Sequence, residues 1–176
     1  MRDKGLGITN DNLFQIPIAT TNNPLTSNNP DVKNPQIDGQ NRLNSEYLEQ
    51  RTHELINAHR QSTGVKTLVW RDIIAEQARV HSQNIANGDI EPSHVGFEQR
   101  VDNIAVSIYP YYGAAENLAW NNLEDPAQGA LDWWLQSPDH LTNLENADYD
   151  YTGIGVAKKP NGTVYYFTQI FFDVDQ

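Results

Sequence analysis

The sequence predicts an α+β domain in which helices pack on a small antiparallel sheet. Residues 45–87 repeat apolar side chains at helical spacing, whereas residues 152–172 form two extended apolar segments joined by a turn. The length of 176 residues and a hydrophobic content of 38% suit one domain with a substantial core and some extra chain. Helices first and strands last therefore indicate α+β rather than an alternating α/β architecture.

The first 43 residues predict a tail or linker rather than part of the core. They are rich in Asn and Pro and show neither a helical nor a strand-like hydrophobic period. We expect residues 1–43 to be poorly ordered and residues 44–176 to form the domain. An alternative is that apolar residues Leu13, Phe14, Ile16 and Ile18 hold part of the segment on the domain as an extended strap.

Two helices are predicted at the start of the domain. Asn44 is a favourable N-cap for a helix over residues 45–62, which ends before Gly64. Asp72 is expected to cap a second helix that ends at Gly88. The buried face of this second helix is predicted to contain Ile74, Ala78, His81, Ser82 and Ile85. On such a face His81 is expected to be a packed, hydrogen-bonded core residue rather than a ligand.

The central part of the chain, residues 89–122, predicts irregular loops because Pro and Gly divide it into short segments. These loops are expected to carry His94 and to approach Glu116. The chain also contains an aromatic cluster here, Tyr109 to Tyr112, which could line a groove for an apolar ligand or peptide.

The remaining elements follow in order to the end of the domain. A third helix is predicted from about Asp125, with Pro126 in its first turn, and a short helix bearing His140 after Ser137-Pro138. Two strands, residues 152–158 and 164–172, are expected to form a hairpin with its turn at Asn161-Gly162. Inward-facing positions of the third helix are predicted at Ala130, Leu131, Trp133 and Trp134.

Charge and cysteine content exclude several classes of function. The formal net charge of −11 makes nucleic acid and anionic lipid surfaces poor partners. The absence of cysteine removes disulfides, thiolate metal ligands and a cysteine nucleophile, but it leaves the cellular compartment open. No apolar run is long enough to span a membrane, and residues 1–5 do not begin a signal peptide in the chain as given.

Three polar residues in aromatic or glycine-rich surroundings are the candidates for chemistry. His94, Glu116 and His140 could form a metal site, an acid–base site or a buried hydrogen-bond network. Their separations of 22 and 24 residues impose no local geometry, so only the fold can bring them together. Ser93 and Ser137 lie beside histidines, but neither carries the signature of an activated nucleophile, and Ser137 is better explained as a helix cap.

The motifs, in their order and spacing, resemble the bacterial branch of the CAP superfamily. This is the domain shared by cysteine-rich secretory proteins, venom antigen 5 proteins and plant pathogenesis-related proteins. The resemblance covers residues 44–173. It is carried by Asn57-Ala58-His59-Arg60, Leu68-Val69-Trp70, His94, Arg100, Glu116-Asn117-Leu118-Ala119, Trp134, Ser137-Pro138-Asp139-His140, Gly153-Ile154-Gly155-Val156 and Tyr165 to Phe171.

The resemblance implies a three-layer α-β-α sandwich with an open cleft in which two histidines and two acidic residues meet. The matching positions here are His94, Glu116 and His140, while Gln136 stands in the segment that should supply the second acid. Glu124 or Glu145 could replace that acid only if loops bring them into the cleft. Arg100 is expected to form an internal ion pair or to tie a loop.

Two functions from different classes follow from these residues. One is a secreted or envelope binding module that recognises a small apolar ligand, a peptide or an envelope component, with Tyr111, Tyr112 and Gln136 lining the cleft. The other is a metal-assisted peptidase or esterase with Glu116 as the general base. In either case zinc or another divalent cation would be bound weakly by His94, His140 and Glu116, because two imidazoles without a third firm ligand do not hold a metal tightly.

Overall fold

The fold of the chain is built around a central mixed sheet. In this computed structural model residues 5–7 and 44–174 are described. The strand order in the sheet is β1-β3-β5-β4-β2, with the central strands antiparallel as predicted and the two short edge strands parallel to their neighbours. The strands are β1 (Gly5–Gly7), β2 (Val69–Trp70), β3 (Tyr111–Asn121), β4 (Tyr151–Lys158) and β5 (Tyr165–Val174).

Five helices cover the two faces of this sheet, as the α+β class requires. They are α1 (Ser45–Ser62), α2 (Asp72–Asn87), α3 (Phe97–Ala105), α4 (Pro126–Gln136) and α5 (Pro138–Glu145). The predicted bounds of α1 and the predicted end of α2 at Gly88 are confirmed, as is the short helix that carries His140. Gly88 has a φ of 81°, a left-handed conformation that glycine adopts without steric cost.

The predicted N-caps Asn44 and Ser137 are confirmed, because each occupies the cap position of its helix. Asn44 Oδ1 accepts the Glu46 amide at 3.2 Å, and Asp125 Oδ1 accepts the Gln128 amide at 3.2 Å. The prediction for Asp72 is wrong, because Asp72 is the first helical residue and Arg71 occupies the cap position. The Asp72 carboxylate instead accepts the indole N–H of Trp70 at 2.9 Å.

Two hydrophobic clusters give the three-layer arrangement. One cluster joins α1, α4 and α5 to one face of the sheet and includes Trp134, which is fully buried, whereas its neighbour Trp133 is only partly buried. The other joins α2 and α3 to the opposite face. Neighbouring residues of β3 alternate between them, since Ala114 belongs to the α2–α3 cluster and Ala115 to the cluster around α1.

Close packing of α2 on β4 depends on two glycines in the Gly153-Ile154-Gly155-Val156 motif. A Cβ atom at Gly153 would overlap the backbone of Ala75, and one at Gly155 would overlap the backbone at Ala78 and Arg79. Only glycine therefore allows the helix axis to approach the strand this closely. This contact fixes α2, and with it the loop that follows, against the sheet.

The prediction of irregular loops over residues 89–122 is confirmed for residues 89–96, which carry His94, and is wrong for most of the remainder, which forms α3 and the long strand β3. Helix α3 buries Phe97, Arg100, Val101 and Ile104, a helical spacing interrupted by one charged residue. Strand β3 is buried on both faces over residues 113–119, so it shows no polar–apolar alternation, and its Ala-Ala-Glu-Asn-Leu-Ala sequence favours helix locally. Pairing with β5 overrides that local preference.

Of the predicted tail, only Gly5–Gly7 falls within the described residues, where it pairs with Gly113–Ala115 of β3. The alternative strap at Leu13 to Ile18 lies outside them. Over residues 44–174, none of the helices has the length and apolar content needed to cross a membrane.

Candidate functional site

Glu116 lies at the centre of the site, on β3, between β1 and the middle strand β5. Its side chain is 1% exposed and faces the α2–α3 side of the sheet. Arg100, from α3, binds both carboxylate oxygens: Nε donates to Oε2 at 2.8 Å and Nη2 donates to Oε1 at 2.7 Å. This two-point geometry is the strongest form of a side-chain ion pair. The expectation that Arg100 forms an internal ion pair is confirmed.

His94 is held against the same carboxylate from the loop that precedes α3. Its Nδ1 lies 2.9 Å from Glu116 Oε1. A carboxylate only accepts hydrogen bonds, so the proton of this bond resides on Nδ1 of the histidine. In a neutral ring, Nε2 then carries the lone pair and is the atom available to a ligand. Arg100 supports the loop as well, because its Nη1 donates to the Val95 carbonyl at 3.1 Å.

The ionised state of Glu116 is favoured by these contacts. Burial by itself raises the pKa of this carboxyl, but the hydrogen bond from His94 and the charge and hydrogen bonds of Arg100 outweigh burial, so the pKa lies below its ordinary value. Glu116 is thus a carboxylate with both oxygens occupied. Such a group orients its partners well and accepts a proton from water poorly.

His140 comes from α5, a helix that packs on the face of the sheet opposite the Glu116 side chain. Its backbone carbonyl accepts the side-chain amide of Asn117 at 3.2 Å, and Asn143 donates to Asn117 Oδ1 at 2.8 Å. All three residues are buried. Burial, and then the nearby charge of His94, lower the pKa of His140 to about 4, so its imidazole is neutral at pH 7.

His81 is a core residue, as predicted, but it also holds the loop that carries His94. Its Nε2 lies 3.0 Å from the carbonyl oxygen of Ser93. Burial, opposed by Glu116, lowers the pKa of His81 to about 4, so the ring is neutral at pH 7 and donates one hydrogen bond to that carbonyl. Helix α2 therefore positions His94 through its neighbour in the chain.

The other predicted site residues lie in more ordinary surroundings. Gln136 is exposed near the end of α4, and its amide donates to the Asp132 carbonyl of the same helix at 3.0 Å. Tyr111 packs on Phe172 with ring centroids 5.3 Å apart and borders the α2–α3 cluster, while Tyr112 is half-buried beside it. Of the acids that could replace the missing one, Glu145 is paired with His59 at 2.9 Å, and Glu124 is exposed before α4.

The donor atoms around His94 do not make a set typical of a resident metal. Among residues 5–7 and 44–174 no group of three His, Cys, Asp or Glu side chains is arranged to hold a metal ion. Glu116 is engaged by Arg100 and His94, which leaves two imidazoles as ligands. A tightly held metal does not fit this arrangement, since structural sites use four protein ligands and catalytic sites three.

Comparison with known proteins decides the family. The model of the CAP family, described as the cysteine-rich secretory protein family, matches residues 53–171. The chain belongs to the CAP family. The matched residues of this CAP domain include the whole His94, Glu116 and His140 set and both core clusters except their outermost members.

Relatives of this CAP domain occur in several bacteria. An uncharacterised membrane protein of Bacillus subtilis, YlbC, is 32% identical over 120 residues, which are 67% of this chain and 32% of that protein. An extracellular protein with an SCP domain from Bacillus anthracis is 25% identical, with a TM-score of 0.60 over 73% of this chain and 41% of that chain. An outer surface protein of Borrelia burgdorferi is 20% identical, with a TM-score of 0.60 over 79% of this chain and 97% of that chain. The chain thus spans about a third of the curated relative it matches.

Sequence reasoning missed Asn117 and Asn143 as site residues. The signal for Asn117 was its place in the Glu116-Asn117-Leu118-Ala119 motif alone, because the strand that sends its side chain to the face opposite Glu116 was predicted as loop. No comparable signal identifies Asn143, whose role depends on how α5 sits on β3.

Proposed function

We propose that this CAP domain is an extracellular or envelope binding module, whose cleft around His94 and His140 recognises a small ligand or peptide. The observation that carries the proposal is the engagement of Glu116. A carboxylate that is 1% exposed, bound at both oxygens by Arg100 and contacted by His94 is an anchor for the site. The names of its relatives, an extracellular protein and an outer surface protein, support the location.

Within this cleft the two imidazoles are the groups that meet a ligand. His94 is oriented by Glu116 through its Nδ1, and burial keeps the imidazole of His140 neutral at pH 7, which is the form of histidine that binds a metal ion. Glu116 takes the part of the carboxylate that fixes the ring of a ligating histidine rather than that of a ligand itself. We propose weak, exchangeable binding of a divalent cation such as zinc at His94 and His140.

The alternative, a metal-assisted hydrolase with Glu116 as general base, fits the geometry less well. A general base must take a proton from water, and this requires a free oxygen and a pKa near the working pH. Glu116 has a lowered pKa, and the ion pair with Arg100 would have to break before either oxygen could act as a base. Among residues 5–7 and 44–174, no third His, Cys, Asp or Glu side chain completes a metal site that could activate water for the hydrolase.

Calorimetric titration with zinc tests the binding proposal. We expect a weak heat signal in the wild type that disappears in His94→Ala and in His140→Ala. The matched control is His53→Ala, because His53 lies on α1 and bonds the Leu68 carbonyl; it should bind as the wild type does. No heat in the wild type removes the metal from the proposal.

Hydrolysis of peptide and ester substrates tests the binding module against the enzyme. We expect no turnover in the wild type above that of Glu116→Gln, with circular dichroism used to verify that the variant is folded. Turnover in the wild type that a folded Glu116→Gln variant lacks would overturn the proposal and support the hydrolase.

A further inference from the structure

Charge is distributed very unevenly along the chain. Residues 80–157 contain twelve acidic residues and a single basic one, Arg100, whereas the rest of the chain has eleven of each sign. The entire formal charge of −11 therefore falls on the segment that carries the site. Because Arg100 is buried in its pair with Glu116, no Lys or Arg of this segment is left to offset the acids at the surface. A surface of this kind attracts cations and raises the rate at which cationic partners arrive.

Exposed apolar side chains are concentrated in the same part of the chain. Six large apolar side chains are exposed among the described residues, and four of them lie within residues 89–109. Val95, directly after His94, is 80% exposed; Val106 is 87% exposed and Tyr109 is 77% exposed, and the fourth is Ile90. A single exposed valine is ordinary, but several along one short segment are typical of a surface that binds a partner.

The apolar and acidic residues meet on the outer side of α3. Val106 retains helical backbone angles at the end of α3 and lies seven residues after Gln99, so two helical turns place it over the exposed face of the helix. That face also presents Glu98 and Asp102, while Val95 borders it at the start, beside His94. The exposed side of residues 89–109, which we name the α3 rim, thus alternates apolar contacts with negative charge. Its acids are Asp89, Glu91, Glu98 and Asp102.

We propose that the α3 rim docks a cationic peptide segment that carries apolar side chains between its basic residues. Val95, Val106 and Tyr109 supply the apolar contacts, and the four acids pair with the basic side chains. The acidic charge favours this occupant over an anionic peptide, a nucleic acid or an anionic membrane. The inference rests on the proposed binding function and names the class of its ligand: a peptide held on the rim beside His94.

Binding of a synthetic peptide of alternating leucine and lysine to the full chain tests the inference, with fluorescence anisotropy as the measurement. Two matched peptides separate the contributions: one replaces lysine by glutamate and the other replaces leucine by serine. We expect binding of the leucine–lysine peptide, which weakens as salt is added. The glutamate peptide should not bind, and the serine peptide should bind about tenfold more weakly or worse, since one buried anchor commonly accounts for that factor.

Variants of exposed residues locate the contact without disturbing the core. The double variant Val95→Ser/Val106→Ser should bind the leucine–lysine peptide about tenfold more weakly. Glu98→Gln/Asp102→Asn should bind more weakly and lose part of the salt dependence. Val69→Ser is the matched control: Val69 is 51% exposed but lies in β2, at the opposite edge of the sheet from β3, so binding should be unchanged.

Several outcomes would overturn the inference and leave the proposed function to its own tests. These are no binding of the leucine–lysine peptide, equal binding of the serine peptide, or equal losses in the rim and Val69→Ser variants. If zinc still binds through His94 and His140 in those cases, the proposed cation site is supported and only the proposed peptide docking is refuted. If the peptide binds to the α3 rim while zinc does not bind, the peptide docking is supported and the cation site is refuted.

Discussion

Two neighbouring residues of β3 hold the two histidines of the site by different chemistry. Glu116 fixes His94 with a carboxylate that Arg100 keeps ionised, whereas Asn117 fixes the backbone of His140 with a neutral amide. The alternation of side chains along a strand sends the two to opposite faces of the sheet. On the charged side, formed by Glu116, Arg100 and His94, the carboxylate determines which nitrogen of His94 is protonated. On the amide side, formed by Asn117, Asn143 and the His140 backbone, the amide determines only where His140 lies. Loss of the charged contacts should therefore lower the free energy of unfolding more than loss of the amide contacts.

Loss of Arg100 is expected to have the largest effect. Arg100→Leu leaves the Glu116 carboxylate buried without its partner, which should lower the free energy of unfolding by about 3–5 kcal/mol. Urea unfolding followed by circular dichroism measures the change. Arg71→Leu is a control, because Arg71 is exposed and lies over the ring of Tyr151, and its loss should cost less than about 1 kcal/mol. Equal losses of unfolding free energy in the two variants would contradict the stabilising role assigned to the buried Arg100–Glu116 ion pair.

Low pH should lower the stability of the fold through two buried histidines, His81 on α2 and His140 on α5. Burial lowers the pKa values of His81 and His140 from 6.5 to about 4, so between these pH values the unfolded chain binds more protons than the folded one. Stability is therefore full above about pH 6.5 and falls as the pH drops towards 4, by about 3 kcal/mol for each histidine.

The variant His81→Gln isolates one of these two contributions. Glutamine can still donate a hydrogen bond to the Ser93 carbonyl but does not titrate, so the loss of stability between pH 7 and pH 5 should be clearly smaller than in the wild type. Urea unfolding at the two pH values measures it, with each protein at pH 7 as its own reference. The same pH slope in wild type and variant would refute a neutral, buried His81.

The smallest expected effect is on the amide side. Asn117→Leu removes the bond to the His140 carbonyl and leaves the amide of Asn143 without its acceptor, which should cost about 1–3 kcal/mol. Adding Asn143→Leu should recover part of this loss, because the double change leaves no buried amide unpaired. Thermal or urea unfolding of the three variants gives the comparison. A loss as large as that of Arg100→Leu would show that the two sides do not differ in the way proposed.

The parts of the fold that the sequence predicted are those with local signals. Helix α1 has a cap at Asn44 and a regular apolar stripe, and the β4–β5 hairpin has strand residues around Asn161-Gly162. Strand β3 has no such signal, since its local sequence favours helix and its pairing with β5 spans about 50 residues of chain. Helix α3 was obscured because Arg100 interrupts its apolar spacing, although that arginine is buried.

The sequence predicted some members of the site, but not Asn117 or Asn143 and not the role of Glu116. His94, Glu116 and Arg100 were recognisable by residue type and by resemblance, and Arg100 was expected to form an internal ion pair or to tie a loop. Whether Glu116 acts as a base or as an anchor depends on distances between residues 16 and 22 positions apart in the chain. These distances exist only once α3 packs on β3.

The protonation of Glu116 is the most direct test of the account. With the side-chain carboxyl labelled with ¹³C, NMR can follow its chemical shift as the pH is lowered from 7 while the domain stays folded. We predict that Glu116 remains ionised below its ordinary pKa of 4.5, since Arg100 and His94 hold the charge. A carboxyl that takes up a proton above pH 4.5 would contradict the account, because a raised pKa is what a general base needs and a permanently ionised anchor does not have.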